Sequence, residues 1–516
     1  MRIKNKMKKV FSIIVSAVMM MSMLTVTAFA APTTATTGTL KIDRTGATFT
    51  AYKVLDAVLK EGTTVYEYSA TTAFAGFFGN EAYGNYTVEG IKEIKDANAA
   101  EAFAAALEKY AKDNKLPGTE FEGGSTAKEL AIGYYLVVQT ASDATNAYVP
   151  NKTVTVAIPE TADNETFNYN VVVTPKDSLP TVDKVIVENS NDVKKNDVSI
   201  GDTVTYKLTS TVPQYPANTV ESSIEYYLKD TLSKGLTFNA DSVSISGVKG
   251  GIKTPLTKDT DYVVNTSEIV AGTATTITFN FTGKYTTLKN YDSIEVTYTA
   301  TLNEHAIIGG AGNPNDVLLG YTNNPTSGEK HETEEVEVKT YTYAIGVEKV
   351  DATSKATLAG AEFELRNASG NLIGKYGYAA DGSVVVSTGA DKIATDANGR
   401  VYFIGLDEGS YKLKETKAPN GYILLSGTID FTITATKENG LPTGACTVAV
   451  GGENVTATET VTINGAEATL AKITVENKKG FTLPTTGGAG TWMFTIGGLV
   501  LMAGAVVVFA INKKRA

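Results

Sequence analysis

A period-two alternation of apolar and polar residues runs through most of this 516-residue chain and leaves little choice of fold. Ile294, Val296, Tyr298, Ala300 and Leu302 take one face of an extended segment, while Glu295, Thr297, Thr299 and Thr301 take the other. Val204, Tyr206 and Leu208 repeat the pattern. Successive side chains of a strand point to opposite faces, so such a segment buries one face and solvates the other. Broken by Gly, Asn, Asp and Pro turns, these segments predict antiparallel β-sandwiches. The main exception is Ala97 to Asn114, alanine-rich with Phe103, Leu107 and Tyr110 at helical spacing, which predicts one surface-packed helix.

Some inward positions of these strands carry charge or an amide. Toward the C-terminal end the series are Ile345, Val347, Lys349; Tyr411, Leu413, Glu415; and Ile473, Val475, Asn477. In mid-chain they are Val182, Lys184, Ile186; Tyr226, Leu228, Asp230; and Leu319, Tyr321, Asn323. Each set brings a lysine, an acid and an asparagine into one interior, which is costly unless they satisfy one another. In an apolar site the amine gives up its proton more easily and the carboxyl keeps its own. A neutral lysine can then attack the asparagine amide carbon while the acid shuttles protons, releasing ammonia and leaving a neutral isopeptide bond. A buried salt bridge with an amide hydrogen bond, or lysines whose ammonium reaches the surface, fits the same pattern. The pattern alone leaves these alternatives open.

The two ends place the chain outside the cell. Arg2, Lys4, Lys6, Lys8 and Lys9 precede an apolar stretch from Val10 to about Leu24, and Ala28-Phe29-Ala30 has the small-x-small form of a cleavage site. An N-terminal membrane helix is the competing reading; the short stretch and well-placed Ala-x-Ala favour a signal peptide over 1–30. At the other end Leu483-Pro484-Thr485-Thr486-Gly487 is followed by an apolar run from Trp492 to Ile511, then Lys513, Lys514 and Arg515. About 20 apolar residues span a bilayer core, and the basic tail stays on the cytoplasmic side. Without these ends, residues 31–486 keep 38 of the 46 Lys and Arg and all 56 Asp and Glu, a net charge of −18. That excludes nucleic acid and anionic membranes as expected partners. The single Cys446 excludes an intrachain disulfide. With His305 and His331 the only histidines and no metal-ligand or Ser/His/Asp cluster, no cofactor, metal or enzymatic activity is expected.

The order motif, span, basic tail resembles the cell-wall sorting signal of Gram-positive surface proteins. The resemblance implies that a sortase cuts between Thr486 and Gly487 and moves the threonine carbonyl onto an amine. A mid-chain near-match, Leu441-Pro442-Thr443-Gly444, has no apolar helix behind it. Lys349-Val350-Asp351, Leu358 to Phe363, and above all Tyr411-Lys412-Leu413-Lys414-Glu415-Thr416-Lys417-Ala418-Pro419-Asn420-Gly421-Tyr422 resemble the opening and the E-box of Cna protein B-type domains. Lys229-Asp230-Thr231-Leu232 and Leu319 to Pro325 resemble the fimbrial isopeptide-forming domain. These resemblances imply autocatalytic bonds Lys184–Asn323 and Lys349–Asn477, with Asp230 and Glu415 as the acids. Tyr169 to Lys176 resembles the pilin motif of major pilins, which implies Lys176 as the sortase's acceptor amine; Tyr169 stands where a tryptophan is often found. Tyr134 to Thr140 resembles a degenerate E-box with Gln139 in the acid's place, and Asp177 stands where cross-linked relatives have Asn, so no bond is expected in the first domain.

The expected architecture is all-β: three tandem Ig-like, Cna-type sandwiches in a rod, with a cleaved signal peptide and a C-terminal sorting helix. Its parts are 1–30, a pilin domain 31–178, an isopeptide-forming domain 179–338 after a linker at Pro175–Pro180, a Cna-type domain 339–482 after acidic Thr333–Val338, and the sorting signal 483–516. The resemblance implies the major subunit of a covalent pilus on a Gram-positive cell wall, with a precursor held briefly in the membrane. Its expected partners are identical subunits, a pilus sortase, the housekeeping sortase, peptidoglycan, minor pilins and host surface ligands. A wall-anchored adhesin or minor pilin is the alternative; it would not need Lys176.

Overall fold

The computed structural model describes residues 35–480 and 490–514, except 64, 125, 144–145, 151–152, 162–165, 217, 271, 374, 381–382 and 389–391. The leader and Leu483–Gly487 lie outside the described residues. Strands dominate, as the alternation demands. Along Ser293–Leu302 every even-numbered residue is buried and every odd-numbered one only partly so.

In the first third, Ala47–Leu59 pairs with Gly133–Ser142, and Gly133–Ser142 with Val154–Ile158. A smaller sheet sets Thr37–Ile42 between Lys128–Ala131 and Asn170–Val173. The predicted helix spans Ala97–Asp113, its first amides capped by the Asp96 carboxylate. It lays Phe103, Leu107 and Tyr110 onto Val54, Leu136 and Val138.

The middle third is a sandwich of a six-stranded and a seven-stranded sheet. Val182–Glu188, Thr203–Thr211 and Ser293–Leu302 are successive neighbours in one sheet. Tyr226–Leu232 and Asn313–Asn324 are antiparallel neighbours in the other. The second half of the acidic segment read as a linker is strand: Val336–Tyr341 pairs with Asn313–Val317 and, in parallel, with Lys195–Asp197. Its alternating Val336, Val338 and Thr340 place it in this sandwich, so the middle sheet runs three residues past the expected boundary at 338.

In the last third, Tyr343–Asp351 lies parallel to Ala466–Asn477 within a sheet that closes into a barrel. Glu362–Asn367, Gly409–Lys417, Thr428–Glu438 and Leu441–Val450 form the facing sheet. The near-match Leu441–Gly444 is therefore strand, not sorting signal. The two sandwiches share an apolar junction in which Ile200 donates its backbone N–H to the Gly405 carbonyl at 3.0 Å. Gly405 has φ +79°, and a Cβ there would come within 2.4 Å of Ile200, so this contact requires glycine. Cys446 is partly buried, and burial pushes its thiol up to about 11, which disfavours the nucleophilic thiolate. A helix from Gly490 to Lys513 follows, apolar over Trp492–Lys513 and long enough to cross a bilayer.

Candidate cross-linking and polymerisation sites

Lys184 and Asp230 are both fully buried, and they face each other from opposite sheets. Lys184 Nζ lies 2.5 Å from Asp230 Oδ2. Burial pulls the Lys184 amine down to about 8 against the pull of Asp230, and burial raises the Asp230 carboxyl against the pull of Lys184. Both shifts move the pair toward its neutral form, as unpaired desolvation requires.

The amide at this site is Asn315, not Asn323. Lys184 Nζ donates to Asn315 Oδ1 at 2.6 Å, and Asn315 Nδ2 donates to the Tyr298 hydroxyl at 2.7 Å. Tyr298 in turn donates to Asp230 Oδ1 at 2.8 Å. Asn315 and Asn323 have the same parity, so alternation puts both on the inward face. Register separates them. The strand bearing them runs antiparallel to Tyr226–Leu232, setting Asp230 opposite Val317 and Leu232 opposite Asn315. Eight residues at ~3.4 Å carry Asn323 roughly 27 Å away. There Asn323 Nδ2 donates to the Asn146 carbonyl at 2.8 Å, and Tyr321 donates to the Ala147 carbonyl. With the bond from the Ser142 amide to Glu329 at 2.7 Å, these contacts seat the first domain on the second.

In the third domain Lys349, Glu415 and Asn477 come together as the strand pattern predicted, at 0%, 2% and 0% exposure. Lys349 and Asn477 sit on neighbouring parallel strands, whose register sets Lys349 opposite Val475 and Asp351 opposite Asn477. Glu415 reaches in from the facing sheet, and Asn477 Nδ2 donates to its two oxygens at 2.8 and 3.1 Å. Lys349 Nζ donates to the Val475 carbonyl at 2.9 Å, and burial pulls its amine down to about 8, with Glu415 opposing. Asn477 Oδ1 is buried without a hydrogen-bond partner, so only the nitrogen of this amide is satisfied.

In the first domain Gln139 Nε2 donates to Ser142 Oγ at 2.7 Å. Lys176 is exposed, in the connector Thr174-Pro175-Lys176 between two short strands. On one side Asn170–Val173 pairs in parallel with Thr39–Ile42; on the other Asp177–Ser178 pairs with Val149–Pro150. Asp177 forms a 2.6 Å ion pair with Arg44, whose guanidinium lies 3.8 Å over the Tyr148 ring. Burial raises the Asp177 carboxyl even with Arg44 beside it. Sequence reading saw Asp177 only as a missing asparagine; Arg44 lies over 130 residues away, and only the fold pairs them. Arg44→Ala should cost about 3 kcal/mol by stranding a buried carboxylate, read as faster amide hydrogen exchange in Asn170–Ser178. Unchanged exchange there would mean the pair does not hold the connector.

Three family models match consecutive parts of the chain: a Gram-positive pilin backbone subunit 2, Cna-B-like domain over 200–325, the prealbumin-like fold domain of the SpaA family over 344–443, and an LPXTG cell wall anchor motif over 475–516. The trypsin-resistant surface T6 protein of Streptococcus pyogenes serotype M6 is 28% identical over 404 residues, 67% of this chain and 71% of that one. The pilin-backbone domain, the anchor motif and this relative together support a sortase-assembled major pilin. This pilin is a major structural subunit of a surface pilus, anchored to the cell wall, in a family of structural proteins rather than enzymes. The fimbrial subunit type 1 of Actinomyces viscosus is 26% identical over 471 residues, 83% of the pilin and 82% of that chain. In fold the pilin is similar to the T6 backbone pilin of serotype M6 S. pyogenes, with a TM-score of 0.55 and 20% identity, covering 87% of the pilin and all of that chain.

Proposed function

We propose that the pilin polymerises by transfer of the Thr486 carbonyl to Lys176 of the next subunit, and that two Lys–Asn isopeptide bonds, Lys184–Asn315 and Lys349–Asn477, lock its second and third domains. The pilus sortase performs the transfer, and the housekeeping sortase joins the finished polymer to peptidoglycan. Each internal bond is a single turnover that the chain performs on itself.

The observation that carries this reading is the Lys184–Asp230–Asn315 contact in a fully buried site. As an ordinary ion pair it is expensive, because desolvation of both charges offsets their attraction. As a precursor it has what the reaction needs: an amine whose proton affinity burial lowers, an acid whose proton burial retains, and an amide held against both. Attack of Nζ on Cγ releases the amide nitrogen as ammonia and leaves no charge in the core.

Intact mass tests this. The secreted chain should weigh about 34 Da less than its sequence, one ammonia of about 17 Da per bond. Asp230→Ala, Asn315→Ala, Glu415→Ala and Asn477→Ala should each restore about 17 Da, and Asn323→Ala should restore nothing. A wild-type mass equal to the plain sequence means the buried groups are only salt-bridged. Restoration by Asn323→Ala would return the role to that residue.

A further inference from the structure

The two sites differ in how the acid reaches the amide. In the third domain Asn477 Nδ2 donates straight to the Glu415 carboxylate. In the second the acid is an aspartate, one methylene shorter, and the amide nitrogen's hydrogen bond goes to the Tyr298 hydroxyl, which passes its own to Asp230 Oδ1. Tyr298 is 1% exposed, and it comes from Ser293–Leu302, the sheet opposite the Asp230 strand. Its hydroxyl also lies 3.2 Å from Lys184 Nζ. Tyr206, Phe238 and Phe279 pack around its ring, with centroids 5.3, 5.5 and 5.8 Å away.

We propose that Tyr298 is a catalytic residue of bond formation in the second domain, carrying a proton from Asp230 to the departing nitrogen of Asn315. The proposal rests on the Lys184–Asn315 bond and goes beyond it in assigning the proton's route. Asp230 begins protonated. When Nζ bonds to Cγ, the amide nitrogen loses its conjugation and gains a lone pair, so it turns from hydrogen-bond donor to acceptor. The Tyr298 O–H turns from Oδ1 to Nδ2, Oδ1 points its own proton at the Tyr298 oxygen, and the two protons then move together, from Asp230 to Tyr298 and from Tyr298 to Nδ2. The Cγ–Nδ2 bond then breaks and ammonia leaves. The carboxylate so formed takes the surplus proton from the bonded Nζ at Oδ2, so Asp230 ends protonated again, now on Oδ2, and Tyr298 ends as a neutral hydroxyl. Burial raises the Tyr298 hydroxyl well above its ordinary range, so it stays a neutral hydroxyl before and after the hand-over. The third domain needs no hydroxyl, because Glu415 spans the gap itself.

The test uses the full chain purified unreacted in denaturant and refolded in detergent, with the loss of about 17 Da in second-domain peptides followed by mass spectrometry. Tyr298→Phe keeps the ring and removes the relay. The expected result is bond formation slowed about 10²-fold, the scale of one lost proton-transfer group, while the Lys349–Asn477 bond forms at the wild-type rate. Equal rates in the second domain overturn the role of Tyr298. A wild type that keeps its full second-domain mass overturns the underlying bond instead. If Tyr298→Phe fails to fold, the wild-type rate in mixtures of light and heavy water decides. A bowed dependence means two protons in flight and supports the relay, and a straight line overturns it.

Discussion

Replacing Lys176 by alanine should reduce the SDS-resistant high-mass ladder of cell-wall extracts to a single anchored band. Exposed lysines are common on this pilin, so exposure does not single this one out. Its connector does. The chain is paired on both sides of Thr174-Pro175-Lys176, Pro175 fixes its own φ, and the next residue is tied by its carboxylate to Arg44. The amine is thus presented on a short, anchored arch, and a transferase gains most from a nucleophile held in place. Lys176→Arg should fail equally, since a guanidinium keeps the charge but stays protonated and is not a nucleophile. The Lys184–Asn315 and Lys349–Asn477 mass losses should persist in both variants, separating lost polymerisation from lost folding. A normal ladder in Lys176→Ala would remove this residue from the polymer and reopen the adhesin reading.

Pulling one subunit between Lys176 and its C-terminus should release no long segment of either later domain. Lys184 and Asn315 are 131 residues apart, and Lys349 and Asn477 are 128 apart. By analogy with a disulfide closing such a loop, each bond stabilises its domain by roughly 5 kcal/mol, comparable with a small domain's net stability. Under load the larger effect is geometric, because force crosses each domain through the bond and never reaches the loop. The two domains differ in what remains. In the third, the bond joins the first strand to the last. In the second, the expectation that its asparagine lies on the last strand gives way: Glu329–Glu332 and Val336–Tyr341 follow Asn315. Residues 316–348 therefore stay in the load path, and their release gives at most about 110 Å at ~3.4 Å per residue. Lys184→Ala or Lys349→Ala should each add a step on the order of 400 Å. A step of that length in the wild type would sink the account.

Much of this was legible in the sequence because the two strongest signals are local. Alternation needs only neighbouring residues, and it located the strands, their inward faces and the polar residues on those faces. The sorting pattern is likewise a run of adjacent segments read by order. In the third domain alternation also sufficed for the site, because the lysine and asparagine strands run parallel. Both series read apolar, apolar, polar in the same direction, and their polar ends meet. In the second domain the asparagine strand runs antiparallel to the acid strand, so its polar end must be read backwards, from Asn315 rather than toward Asn323. The signal was present in Asn315, Val317 and Leu319, but its direction depends on strand orientation.

What the sequence determined by itself was the class of fold, the cell-wall anchor at the C-terminal end, and the residue types that enter each core. What only the tertiary structure decided was which of them touch. Asn315 over Asn323, Tyr298 between acid and amide, and Arg44 against Asp177 all depend on register and sheet facing, which join residues from 17 to more than 130 positions apart. Period two repeats identically along a strand, so it specifies a face and never a position on it.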